Sequence, residues 1–168
     1  IKNGYQASIM APTAILASQH YEELSKYFNK LDMNVELITS SNTKKQKQDI
    51  ANRLKEGKID LLIGTHAILE DNIEFKNLGL VVTDEQHRFG VNQRANLQNK
   101  GVRPDILYMS ATPIPRTYAL AIYGDMDTSV IKQKPSGRKK IKTFVKNNKE
   151  IKDVLEMMLE ELKKKHQV

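Results

Sequence analysis

Residues 80–87, Leu-Val-Val-Thr-Asp-Glu-Gln-His, form an apolar run that ends in two adjacent carboxylates. That pattern suits metal-assisted phosphoryl chemistry. Asp84 would hold Mg²⁺, commonly through a water, because a hard cation takes oxygen ligands. Glu85 would orient and help deprotonate a water attacking a γ-phosphate. The plain alternative is that Asp84 and Glu85 only close a strand and open a helix, where carboxylates suit the positive end of the dipole. Gln86 and His87, together with the polar ends of other apolar runs, favour the chemistry, although His87 alone could be an ordinary half-buried histidine.

Three further apolar runs end in small or polar residues: Pro12-Thr13, Gly64-Thr65-His66 and Ser110-Ala111-Thr112. Ser110 and Thr112 follow the carboxylate run in order. At the same sheet edge their hydroxyls could sense a metal–phosphate site, or they could simply cap the next helix. Hydroxyls and backbone N–H groups at helix N-termini bind phosphate, which fits a nucleic-acid backbone at Pro12, Thr13, Gly64, Thr65 and His66. Helix capping by Thr13 is an equally good reading.

The elements that must position these residues are legible as periodicities. Short apolar runs at 7–11, 35–39, 60–64, 80–84, 106–110 and 129–131 read as strands. Between the first two, residues 14–30 place Leu16, His20, Leu24, Tyr27 and Phe28 on one helical face. Ser41, Asn42 and Thr43 offer caps to a helix carrying Ile50, Ala51 and Leu54 that stops at Gly57. Strands apolar on both faces, alternating with helices, predict an α/β fold with a parallel sheet flanked by helices. In such sheets ligands bind at the carboxyl ends of the strands. Near Pro135-Ser136-Gly137 the texture changes to Arg138-Lys139-Lys140, a β-rich 141–145 and a charged helix over 150–165. This predicts one domain over 1–137, then a linker with the first strand and helix of a second over 138–168.

Composition excludes several classes. The 168 residues contain no cysteine, so a disulfide scaffold, a thiolate metal site and a cysteine nucleophile are ruled out. His20, His66, His87 and His166 are far apart without Cys partners, and no zinc site is expected. No apolar run approaches the roughly 20 residues of a membrane span. The 27 Lys+Arg exceed the 20 Asp+Glu by +7, yet residues 138–168 alone hold ten against five. The basic balance therefore belongs mostly to the linker and last helix. That helix, with Ile151, Val154, Leu155, Met158, Leu159 and Leu162 and a terminal Lys163-Lys164-Lys165, could lie on a membrane or partner. Packing on a second domain is the preferred reading.

Residues 10–20, Met-Ala-Pro-Thr-Ala-Ile-Leu-Ala-Ser-Gln-His, resemble motif Ia of the superfamily-2 helicases. Gly64-Thr65-His66-Ala67 is similar to their Gly-Thr-His motif, and residues 84–91 and 109–117 to motifs II and III. With Tyr123-Gly124-Asp125-Met126-Asp127, they resemble the RecG branch, bacterial branch-migration helicases, from about Gly4 through Arg138. The transcription-repair coupling translocases share the Arg-Phe-Gly and Thr-Pro-Ile-Pro-Arg-Thr elements, but Gln86-His87 favours RecG. The resemblance implies a RecA-like motor domain using ATP and Mg²⁺ to move on branched or duplex DNA in the bacterial cytoplasm. It gives Asp84 and Glu85 the metal and base roles and Gln86 and His87 contact with the nucleotide site. His87, Ser110, Thr112 and Arg116 would couple nucleotide to DNA, with Pro12, Thr13, Gly64, Thr65 and His66 toward DNA.

The 168 residues contain no phosphate-cradling G-x-x-x-x-G-K-[ST]: only Gly57 is followed by Lys, and Ile59 comes next. The family's loop lies upstream of motif Ia, and residues 1–5 would end the helix that follows it. The expectation is an internal fragment, inactive alone, whose missing strand leaves unpaired sheet edges and a tendency to self-associate. A non-enzymatic α/β nucleic-acid-binding module that kept the Asp-Glu edge is the alternative of a different class.

Overall fold

A computed structural model describes residues 1–85, 88–90, 93, 96–97, 99–111, 127–133, 137, 141 and 143–168. The chain divides into two compact units, Ile1–Ile122 and Tyr123–Val168. In the first, strands β1 (Gln6–Met10), β2 (Val35–Ile38), β3 (Leu61–Gly64), β4 (Leu78–Thr83) and β5 (Asp105–Tyr108) form one sheet in the order β2-β3-β1-β4-β5. Every pairing is parallel. The expected α/β class is thereby met, and β1 and β4, which carry Pro12-Thr13 and Asp84-Glu85 at their ends, are adjacent.

Helix α1 (Ala14–Phe28) starts where the Thr13 side chain accepts from the Leu16 N–H at 3.3 Å. Helix α2 (Lys44–Lys55) starts in a reciprocal cap: Thr43 Oγ1 accepts from Gln46 N–H, and Gln46 Oε1 from Thr43 N–H. Each cap satisfies donors that a helix start leaves without partners. The two helices cover opposite faces. On one, Ala17, Leu16, Tyr21, Leu24 and Phe28 of α1 pack on Ala7, Leu61 and Ile63. On the other, Ile50, Ala51 and Leu54 of α2 pack among Met10, Ile38, Leu62 and Val81. Burying a side chain such as Ile50 or Leu54 is worth about 1.5–3 kcal/mol, so the α2 face of the central strands is firmly held.

The α1 face is covered unevenly. Beside α1 an apolar groove of about 870 Å³ runs along Tyr5, Ile9, Leu24, Phe28, Leu80 and Val82. Over β4 and β5, Leu80 and Leu107 are 40% and 51% exposed, and β5 has no second neighbour among the described residues. An open strand edge beside exposed apolar side chains is a template for pairing. The isolated 168-residue chain is therefore expected to self-associate or to melt at low temperature. Light scattering checks this: a monodisperse monomer with a high, cooperative melting temperature contradicts it.

In the second unit, α3 (Ile151–Lys163) follows a single 3₁₀ turn over Asn148–Glu150. At its end Lys164 Nζ and His166 Nδ1 donate to the two oxygens of Glu161, at 2.8 and 2.6 Å, and hold that carboxyl down to about 2. Its apolar residues Ile151, Leu155, Leu159 and Leu162 are more than half exposed. The strands expected at 129–131 and 141–145 are corrected: among the described residues there, none is in a strand. A β-run needs a partner to complete its backbone hydrogen bonds, and these segments have no paired neighbour among the described residues. No described helix is long and apolar enough to cross a membrane.

Candidate active site

The parallel ladder continues past the strand ends and aligns the polar residues on one edge. Ala11 N–H donates to Gly64 O (2.9 Å), Asp84 N–H to Met10 O (2.9 Å), and Met109 N–H to Thr83 O (2.9 Å). Thr65 N–H reaches Ile38 O at 3.2 Å. Four strand ends, chosen from the sequence for their polar endings, thus share the carboxyl edge.

Asp84 is held at both carboxylate oxygens. Oδ1 accepts from the Glu85 N–H at 2.8 Å, and Oδ2 accepts from His20 Nε2 on α1 at 2.8 Å. A carboxylate only accepts, so the bond requires the proton on Nε2. The Asp84 side chain is 17% exposed and that of His20 25%. Glu85 adopts φ 48°, a left-handed conformation that costs a non-glycine residue about 1–3 kcal/mol and recurs at functional sites. The turn it makes is closed by Arg88 N–H donating to Glu85 O at 2.9 Å. Ser110 Oγ lies 3.5 Å from Glu85 Oε2, a long contact across β4 and β5.

Asp84, Glu85 and Ser110 make an all-oxygen donor set, which is what a hard cation takes. Among the described residues no three His, Asp or Glu side chains cluster as a closed cation cage. Mg²⁺ here would draw its remaining ligands from phosphate and water, as it does in nucleotide enzymes.

The residues expected toward DNA separate into two groups. Pro12 and His66 come together, lining a groove of about 460 Å³ with Arg88, Phe89 and Gln93. Thr13 is exposed with its hydroxyl engaged in the α1 cap. Thr65 is 4% exposed, and its buried hydroxyl has no hydrogen-bond partner among the described residues. Gly64 is demanded by packing: a Cβ there would stand 2.2 Å from Ile38 O. Gln86, His87, Thr112 and Arg116 lie outside the described residues. Two residues that the motifs contain without a role stand at the site. His20 lies on the apolar stripe of α1 and at the end of the motif Ia resemblance, and Arg88 within the motif II resemblance and the shared Arg-Phe-Gly element, but the sequence assigns neither a role. His20 is two turns beyond Thr13, on the same side of α1 but about 10.5 Å further along its axis, and that spacing marks a face without marking Asp84 as the partner.

A sequence model of the DEAD/DEAH box helicases matches residues 1–121, most of the chain. The chain belongs to the DEAD/DEAH box helicase family. Within it, this helicase chain is 50% identical over 167 residues to the ATP-dependent DNA helicase RecG of Bacillus subtilis (strain 168), covering 99% of the chain and 24% of that protein. It is 49% identical over 170 residues to RecG of Aquifex aeolicus (strain VF5), covering 100% of the chain and 22% of that relative. A solved structure of RecG bound to a three-way DNA junction superposes with a TM-score of 0.78 at 44% identity, covering 96% of the chain and 21% of that structure's chain. The helicase chain thus spans about a quarter of the length of these curated relatives. The superposition identifies its parallel five-stranded sheet as a RecA-like helicase core.

Proposed function

We propose that the chain is part of an ATP-driven DNA helicase that remodels branched DNA, such as Holliday junctions and stalled forks, in recombination and repair in the bacterial cytoplasm. The observation that carries this reading is the Asp84-Glu85 pair delivered beside Ser110 at the carboxyl edge of a RecA-like sheet. Similarity to RecG, including the form bound to a three-way junction, supports branched DNA as the partner.

In the complete motor, Asp84 would hold the cation, and Glu85 would take a proton from the water whose oxygen bonds to the γ-phosphorus as the bond to ADP breaks, leaving inorganic phosphate. Bound Mg²⁺ supplies charge neutralisation to the phosphates. Gln86 contacts the nucleotide, while His87, Ser110, Thr112 and Arg116 relay its state. Of the five residues expected toward DNA, Pro12 and His66 line the groove that holds the cation Arg88 and would meet the backbone directly. Thr13 caps α1, and the buried Gly64 and Thr65 would support that edge from behind. Residues 1–137 form the first motor domain, and 138–168 lead into the second.

The 168 residues lack the G-x-x-x-x-G-K-[ST] loop whose amides and lysine cradle phosphates, so the chain alone is expected not to turn over ATP. Steady-state phosphate release tests both statements. The full-length gene product should hydrolyse ATP faster with a DNA junction added, and the 168-residue chain should not hydrolyse it. DNA-stimulated turnover by the short chain, abolished by Glu85→Gln, would overturn the second statement. Absence of DNA stimulation in the folded full-length protein would overturn the first.

A further inference from the structure

We propose that His20 is the positioning residue for Asp84, and that through it helix α1 sets the orientation of the cation-binding carboxylate. The assignment rests on the nucleotide-site reading above and extends it to a residue outside the expected motif roles.

Asp84 follows β4 directly, so its backbone is fixed by the ladder bond from its N–H to Met10 O. Its carboxylate can still rotate about the Cβ–Cγ bond unless both oxygens are anchored. The Glu85 N–H anchors Oδ1 and His20 Nε2 anchors Oδ2, each at 2.8 Å. Two donors on opposite oxygens fix the carboxylate plane. Each oxygen keeps a second lone pair for a water or a cation. Removing His20 leaves a single anchor, on a residue whose backbone is already in the left-handed region.

His20 is itself held rigidly. It lies on α1 seven positions beyond the Thr13 cap, beyond Ala17, which is fully buried against the sheet. The helix begins at Ala14, two residues after Pro12, which lines the groove shared with His66 and Arg88. The Thr13 cap thus joins the groove-lining Pro12 to the helix that holds the Asp84 carboxylate. Partners that orient a ligating group in this way typically contribute about 10–100-fold to metal affinity or activity.

The test uses the full-length protein with His20→Leu, which keeps an apolar helix-forming side chain but no donor, and His20→Gln, whose amide N–H falls near the Nε2 position. The readout is binding of a fluorescent ADP analogue as Mg²⁺ is titrated, which does not require turnover, with thermal melts confirming that both variants fold. His20→Leu should raise the Mg²⁺ concentration for half-maximal binding by about 10-fold or more, and His20→Gln should recover most of the loss. Wild-type Mg²⁺ dependence in His20→Leu overturns the assignment. Equal losses in both variants overturn it as well, because packing rather than the donor would then be responsible. A wild-type protein that binds the analogue without any Mg²⁺ dependence would instead overturn the nucleotide-site reading, and this assignment with it.

Discussion

Glu85→Gln in the full-length protein is expected to lower kcat for ATP hydrolysis by about 10²–10⁴-fold while leaving ATP binding nearly intact. The range is the usual worth of a positioned general base. The substitution keeps the side-chain length and one carbonyl oxygen that can still accept from Ser110 Oγ, 3.5 Å from the native Oε2. It also keeps the same Cβ, so the left-handed turn at φ 48° carries no new steric cost. What it removes is the ability to take a proton from water. Single-turnover hydrolysis alongside equilibrium ATP binding separates these effects. Turnover within a few-fold of wild type would remove Glu85 from the base role.

Gln6→Leu is expected to destabilise the 168-residue chain by about 2–4 kcal/mol, since a buried polar group left without a partner costs about 1–3 kcal/mol and two of the groups affected lie on exposed residues. Gln6 is 6% exposed and its amide is fully used. Nε2 donates to Leu54 O (2.9 Å) and Ile59 O (2.7 Å), while Oε1 accepts from Lys76 N–H (2.8 Å) and Asn77 N–H (3.0 Å). Leucine is of similar size but strands the Ile59 carbonyl and the Lys76 and Asn77 N–H groups, while Leu54 O still accepts from Gly57 N–H at 3.0 Å. Gln6 also sits at the register shift between β1 and β4, where Gln6 faces Leu78 and Ala7 faces Leu80. That shift fixes which β4 residue meets Met10 and so where Asp84 emerges. Urea denaturation gives the number. A loss below about 1 kcal/mol, the scale of a typical single substitution, would contradict this role for the amide.

The parallel sheet and its polar edge were readable because they rest on local patterns: apolar runs of strand length, helical stripes between them, and small or polar residues at each run's end. The strand order was not, since β1 lies between β3 and β4 only through crossovers that composition does not encode. Gln6 opened a strand without any chemistry to mark it, because its partners lie about 50 and 70 residues away. His20 was hidden by its own helix. Its spacing matched the apolar stripe, and its partner Asp84 is 64 residues distant. Thr13 could cap or bind, and its hydroxyl caps. Residues 129–131 and 141–145 had strand-like composition, but composition supplies no neighbouring strand.

Strand release from a synthetic three-way DNA junction by the full-length protein tests the motor reading most directly. Labelled strands should separate only when ATP and Mg²⁺ are both present, and Glu85→Gln should bind the junction yet leave it intact. A wild-type protein that binds the junction but never resolves it with ATP, or a Glu85→Gln variant that resolves it as fast as wild type, would contradict an ATP-driven motor built on this strand edge.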